Sequence, residues 1–362
     1  MRKGTKTNQR NRPYEDEIAH RKDAVNGMKA TSPTSDSAKK QISIRACSRK
    51  NRVYVFREFL WETYGVEIIT NELEKENLIL DVAGGKGDLS WLLINADGAK
   101  SVVVDPRHLS STSHLIRSVR WLEDHPEEAT ERAIPNRPAH QPLAKLIPQI
   151  LERRRRRREE GILSDNEDFI EPQHLQLKAD NRLVDALRLS LEEETAENEC
   201  PKAWEIFYED IFEEMKTSKT AAGAASGPCF LPESDRIQNI KPPIQDALEA
   251  WKIVKSVRLI AGFHPDQATE ACVDLADLLQ IPVCIVPCCV FPSEFPDRRL
   301  DVHSIGEDGN QLTKSVRVRD YDGFLEYLQQ KQPNLRKATL AFHQSETSRN
   351  IVLYSLPEDI QR

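Results

Sequence analysis

The sequence predicts an α/β fold on a mostly parallel, doubly wound sheet that ends in a C-terminal antiparallel hairpin. Three observations predict it. Residues 78–82 form a short apolar run that enters the glycine cluster Gly84, Gly85 and Gly87 and continues into an amphipathic stretch, the pattern of a strand turning sharply into a helix. Residues 257–263 and 281–286 are near-continuous apolar runs, as strands buried on both faces require. Residues 338–342 and 350–354 flank the polar segment 344–348 and read as a terminal hairpin.

Each element follows in chain order. Residues 1–50 lack apolar periodicity and read as a disordered basic tail. Order begins near Asn51, where Val53, Phe56, Leu60 and Tyr64, with Val55 and Phe59, fit one face of a helix that Gly65 ends. After the strand at 78–82, a helix over 88–95 turns Leu89, Leu92 and Leu93 inward, and a second strand spans 101–104. Residues 108–250 read as a charged, partly helical insertion with candidate helices near 115–123, 141–158, 180–195 and 202–216. Residues 221–227 have the composition of a flexible linker. The expected third strand falls within 228–245 or elsewhere in the insertion. Residues 51–107 and 251–362 then form one split domain, with helices over 269–280 and 320–330 between its later strands. Repeated strand–helix units imply right-handed crossovers that cover both faces of the sheet. Ligands bind such sheets beyond the C-terminal ends of the strands, where each motif below falls.

At 362 residues the chain holds two domains, or one with tails and insertions. A charged fraction of 30% and a mean hydropathy of -0.58 fit disordered sequence diluting an ordinary core. Residues 1–52 carry 14 Lys and Arg against 5 Asp and Glu, so the overall charge of -7 hides a basic start and an acidic remainder. The basic start reads as a solvated terminus rather than a nucleic-acid arm. Arg153 to Arg158 are six consecutive arginines, and residues 161–217 then hold 16 acids against 5 bases. Such a block can bind phosphate backbones, but the adopted reading is a solvated helix end offset by the acids that follow. The seven cysteines show neither zinc-knuckle nor disulfide-framework spacing. No apolar run reaches the roughly 18 residues of a membrane span, so a cytoplasmic or nuclear location is expected.

The site residues follow from strand ends. A glycine turn at a helix N-terminus exposes backbone N–H groups to a nucleotide-like ligand. Asp105 ends the second strand about 20 residues beyond the glycines, the spacing of a ribose-binding acid. His264 and Asp266 should lie at the mouth of the site, where the imidazole can act as general base; Asp266 is also placed to cap the next helix. Cys288 and Cys289 end the neighbouring strand and are expected to face His264, or to be small buried hydrophobes. No metal is expected, because adjacent residues on a strand point to opposite sides. Arg349 and Asn350 read as solvated turn residues.

The segments AGGKGDLSWLL, VVVDPR, GFHPDQATE, VPCCVFP and RNIVLY together resemble the class I S-adenosylmethionine-dependent methyltransferases, and more narrowly a little-characterised eukaryotic group of methyltransferase-domain proteins. The resemblance covers 53–107 and 255–356. Asp81, Gly85 and Gly87 match the family's glycine motif, while Ala83 stands at its first glycine. It implies a Rossmann-like fold whose last strand is antiparallel. It also implies S-adenosyl-L-methionine held by Asp81, Ala83, Gly84, Gly85, Gly87 and Asp105. His264 and Asp266 would then be catalytic, with Pro265, Cys288 and Cys289 around the acceptor. The acceptor is not legible; basic segments lean it toward RNA or protein, with RNA or a ribosomal partner at those segments and no membrane. Two alternatives stay open: a non-catalytic binding protein on the same scaffold, and an NAD(P)-dependent oxidoreductase.

Overall fold

A computed structural model describes residues 51–70, 77–107, 109, 112–126, 141–164, 167–196, 198–222, 243–305, 311–342 and 349–360. The basic tail, most of the proposed linker and the 344–348 turn lie outside the described residues. The chain is an α/β protein. Its elements are α1 (Arg52–Ile69), β1 (Leu78–Val82), α2 (Asp88–Leu92, prolonged by a π-type turn Leu93–Asp97), β2 (Lys100–Val104), α3 (Ser113–Asp124), α4 (Gln141–Glu159) and β3 (Gln173–Leu175). Then come α5 (Asn181–Glu192), α6 (Lys202–Ala222), α7 (Ala247–Ser256), β4 (Val257–Phe263), α8 (Thr269–Leu279) and β5 (Val283–Val286). A hairpin, β6 (Arg299–Ile305) and β7 (Gln311–Arg317), precedes α9 (Tyr321–Lys331), β8 (Arg336–Thr339) and β9 (Ile351–Tyr354).

Seven strands form one sheet in the order β3-β2-β1-β4-β5-β9-β8, and β6 and β7 pair separately. The strands from β3 to β5 are parallel; β9 runs antiparallel to both β5 and β8. The chain moves outward from β1 to β3 and then returns to β4 beside β1. A crevice therefore opens past the ends of β1 and β4, where the strand order reverses.

Alternation along the strands feeds two cores. Leu78, Leu80, Val82, Val102 and Ile260 pack under α5 to α9. Ile79, Leu259, Ala261 and Cys284 face Phe56, Leu60 and Tyr64 of α1 and Leu89 and Leu93 of α2. On the far side of α2, Trp91 and Leu92 meet α3 and α4 as a further layer. The third strand lies at 173–175, inside the segment read as an insertion. Leu183, Trp204 and Tyr208 of that segment pack into the same core as the strands. Gly65 interrupts α1 rather than ending it: it adopts φ 60° and ψ -166°, and the helix resumes as far as Ile69. Among the described residues no helix is long and apolar enough to cross a membrane.

The arginine run is consumed internally. Arg153 Nε donates to Ala96 O at 2.8 Å, and Arg157 Nη2 to Ile94 O at 2.7 Å, so two guanidiniums meet the carbonyls that end the π-type turn. Burial, with Arg153 close by, pulls Arg157 down to about 10. Arg154 pairs with Glu123, Arg155 and Arg156 with Glu152, and Arg158 with Asp168 from the following acidic stretch. The expected offset by acids is therefore present, but two of the arginines turn inward rather than toward solvent.

The face built by α1 rests on one buried ion pair. Arg57 Nε donates to Asp97 Oδ2 at 2.7 Å, joining α1 to the end of the π-type turn. The two side chains are only 8% and 0% exposed. Removing one partner leaves the other charge buried and unpaired. Arg57→Ala is expected to destabilise the fold by about 3–5 kcal/mol in urea titrations, and Arg57→Met with Asp97→Leu to recover most of that loss.

Candidate functional site

The turn from β1 to α2 is fixed from within. Asp81 is buried in β1 and points back at the helix it precedes. Its Oδ2 accepts from Ser90 Oγ at 2.9 Å and from Ser90 N at 3.3 Å. Ser90 Oγ lies 2.9 Å from Ser101 Oγ on β2. The chain between Asp81 and Ser90 must fold tightly, so Ala83, Gly85 and Gly87 take φ of 55°, 58° and 78°. Gly84 is needed for a different reason: a Cβ there would stand 2.6 Å from Asp81 Oδ2.

Asp105 ends β2 and gathers four donors. Gly85 N donates to its Oδ2 at 3.0 Å, while Arg107 donates from its backbone N and from Nε to Oδ1, and from Nη2 to Oδ2, each at 2.9 Å. Burial pushes this carboxyl up, but the Arg107 bonds outweigh burial and hold it below the usual range. The Asp105 side chain is 1% exposed and that of Arg107 74%. The glycine loop and the acid twenty residues on, paired in the sequence by spacing, are thus joined by one hydrogen bond.

A cavity of about 350 Å³ opens past these strand ends, within the size range of small-molecule sites. Ala83, Asp105, Pro265 and Asp266 line it among the residues expected from the sequence, together with Arg107, Lys178, Asp180 and Glu294. Asp81, Gly84, Gly85, Gly87 and His264 lie outside its lining. Arg107, Lys178 and Asp180 escaped the sequence reading. Arg107 is signalled only by its place two residues after the acid. Lys178 and Asp180 depend on β3, a strand with one apolar residue.

His264 adopts φ 57°, and its ring meets Phe263 with centroids 4.5 Å apart. Burial, with Arg52 nearby, lowers its pKa to about 4, so the imidazole is neutral near pH 7. Its Nε2 is buried without a protein partner among the described residues. A base with so low a pKa has little driving force for proton abstraction; His264 is better fitted to accept a hydrogen bond.

One cysteine expectation needs correction. Cys288 and Cys289 are not buried hydrophobes, and the partner that Cys288 meets is Asp266. Cys288 Sγ donates to Asp266 Oδ1 at 2.9 Å, and Cys289 is exposed. The alternation that should separate two vicinal thiols stops with β5 at Val286, and Pro287 starts an irregular loop. Asp266 also does not cap α8, whose N-terminus carries no side-chain cap. Arg349 and Asn350 are braces rather than solvated turn residues. Arg349 lies 4.3 Å over the Tyr321 ring, and buried Asn350 Nδ2 donates to Phe342 O at 2.8 Å.

Models of protein families, curated proteins and solved structures give no significant match to this chain.

Burial pushes Asp81 up to about 7, against the Ser90 bonds that favour its ionised form. The folded chain therefore holds a proton on Asp81 that the unfolded chain releases near pH 4, and stability falls as pH rises from about 4 to about 7. Asp81→Asn removes that titration. Urea unfolding across this window is expected to show the wild type losing roughly 3–4 kcal/mol relative to the variant; parallel profiles would count against a protonated Asp81.

Proposed function

We propose that the chain is an S-adenosylmethionine-dependent methyltransferase. One observation carries the reading: the cavity at the β1/β4 switch point is bounded on one side by the glycine turn at Ala83 and on another by Asp105 at the end of β2. Support comes also from β9, which runs antiparallel beside β5 as the family resemblance implies. The residues fit the cofactor under one condition. Asp105 can accept from ribose hydroxyls only after Arg107 swings aside; the exposed Arg107 side chain has room to move, and the ribose hydroxyls would have to replace the bonds it gives up.

When bound, the cofactor supplies a methyl group already activated by its sulfonium. The chain's task is alignment and exclusion of water. Asp105 and the backbone at Ala83 hold the nucleoside end. Asp266, on the cavity wall, faces the acceptor side and can take up the proton of an N–H or O–H acceptor. His264, next in sequence to Pro265 of that wall, carries an uncharged acceptor nitrogen.

Arg107 favours a second reading. A guanidinium beside the acid of the second strand is the arrangement that receives a 2′-phosphate, and so an NADP-type ligand.

Isothermal titration separates the two. S-adenosylhomocysteine is expected to bind the full chain, Asp105→Ala to weaken it at least about tenfold, and Arg107→Ala to leave it unchanged or tighter. Binding of NADPH that Arg107→Ala abolishes, with no response to S-adenosylhomocysteine, would replace the first reading by the second. Binding of neither overturns both.

A further inference from the structure

The turn after β4 and the loop after β5 bring together a constellation of which the nucleotide site uses only Asp266. Asp266, Cys288 and Cys289 each bring one ligand atom to a common point, all within 4.8 Å of one another. Two thiols and a carboxylate are a donor set for a borderline-soft divalent ion. In tetrahedral coordination with Zn–S near 2.3 Å, sulfurs stand roughly 3.8 Å apart. The present spacing therefore needs only small side-chain adjustments to close on an ion.

Three further features mark this constellation. Free cysteines normally pack inside a protein, and Cys272 and Cys284 are fully buried in the cores. Cys289 is instead exposed and Cys288 half-buried, and neither belongs to a core. The loop is also held rigid from three sides. Tyr321 Oη donates to Pro287 O at 3.0 Å, Arg298 Nη1 to Val290 O at 2.8 Å, and Arg317 to Pro292 O. Arg298 itself is fastened by Glu270 of α8 at 2.7 Å. Ligands on a backbone fixed in this way are pre-organised. Finally, Asp266 takes φ 49°, a conformation costly for a non-glycine residue, and so presents its carboxylate to Cys288.

We propose that Asp266, Cys288 and Cys289 form a zinc site with three protein ligands and one open coordination position. On binding, each thiol gives its proton to solvent and becomes a thiolate ligand, and the Cys288–Asp266 hydrogen bond is replaced by two bonds to the ion. The open position lies on the solvent side, because Asp266 and Cys289 are exposed. The site does not depend on the nature of the nucleotide.

The test uses the full chain, reduced and dialysed against zinc, with bound metal counted by mass spectrometry and affinity measured against a chromophoric chelator. One zinc per chain is expected. Cys289→Ser, a surface change that leaves both cores intact, is expected to weaken it at least about tenfold, as is Asp266→Asn. Replacing zinc by cobalt should produce a thiolate-to-metal charge-transfer band that Cys288→Ser with Cys289→Ser removes. Circular dichroism confirms that each variant is folded. No retained zinc in the wild type, or equal zinc and an unchanged cobalt spectrum in the double variant, overturns the proposal.

Discussion

The buried carboxylate of Asp81 sets the geometry of the whole ligand edge. It sits in the central strand, and its hydrogen-bond donors come from Ser90, nine residues ahead, so α2 must begin at once and return against β1. That demand squeezes the linking residues into left-handed conformations and leaves no space for a side chain at Gly84. The contact between Ser90 and Ser101 carries the same constraint across to β2. Gly85 then arrives with its N–H on Asp105. A glycine motif usually described by what it binds is held here first by what it must pack around.

Because that frame is rigid, the movable parts of the edge are few. Among the cavity's charged residues, Arg107 combines a highly exposed side chain with several bonds to a buried carboxylate. Charge-assisted contacts of this kind hold Asp105 ionised. Any ligand that takes the Asp105 oxygens must displace the guanidinium, and any ligand bearing a phosphate there keeps it. If the proposed site holds a nucleotide, its identity would therefore turn on one side chain rather than on the glycine loop, which is compatible with either ligand.

Much of the fold was legible because the central strands are buried on both faces, which forces near-continuous apolar runs. β5 is unbroken, and β1 and β4 are each interrupted once, at Asp81 and Arg258. β3 was not legible. It is Gln173-His174-Leu175, and buried His174 takes its place by donating from Nε2 to Asp105 O at 2.8 Å, a contact no periodicity announces. β6 and β7 were missed because a two-stranded ribbon exposed at Asp301, Val302 and His303 needs no apolar pattern. Within the site, Asp105 and the glycines were readable from spacing, since one short helix with its π-type turn and one strand connect them. Lys178 and Asp180 reach the cavity only through β3 and shared its obscurity. The two thiols were misplaced by extending a strand's alternation past Val286.

Asp266 belongs to both of the proposed sites, and this couples them. Its carboxylate lines the cavity and also accepts from Cys288. A cation held by the thiols engages that carboxylate and withdraws it as a base toward an acceptor in the cavity. The same cation places positive charge at the cavity rim, where Arg107 and Lys178 already stand. An anionic acceptor is then favoured and a cationic one disfavoured, and by linkage such an acceptor strengthens metal binding by the same factor. On the proposed reading, the loop after β5 would act on the acceptor half of the cavity, while the Asp81 frame would govern the nucleoside half.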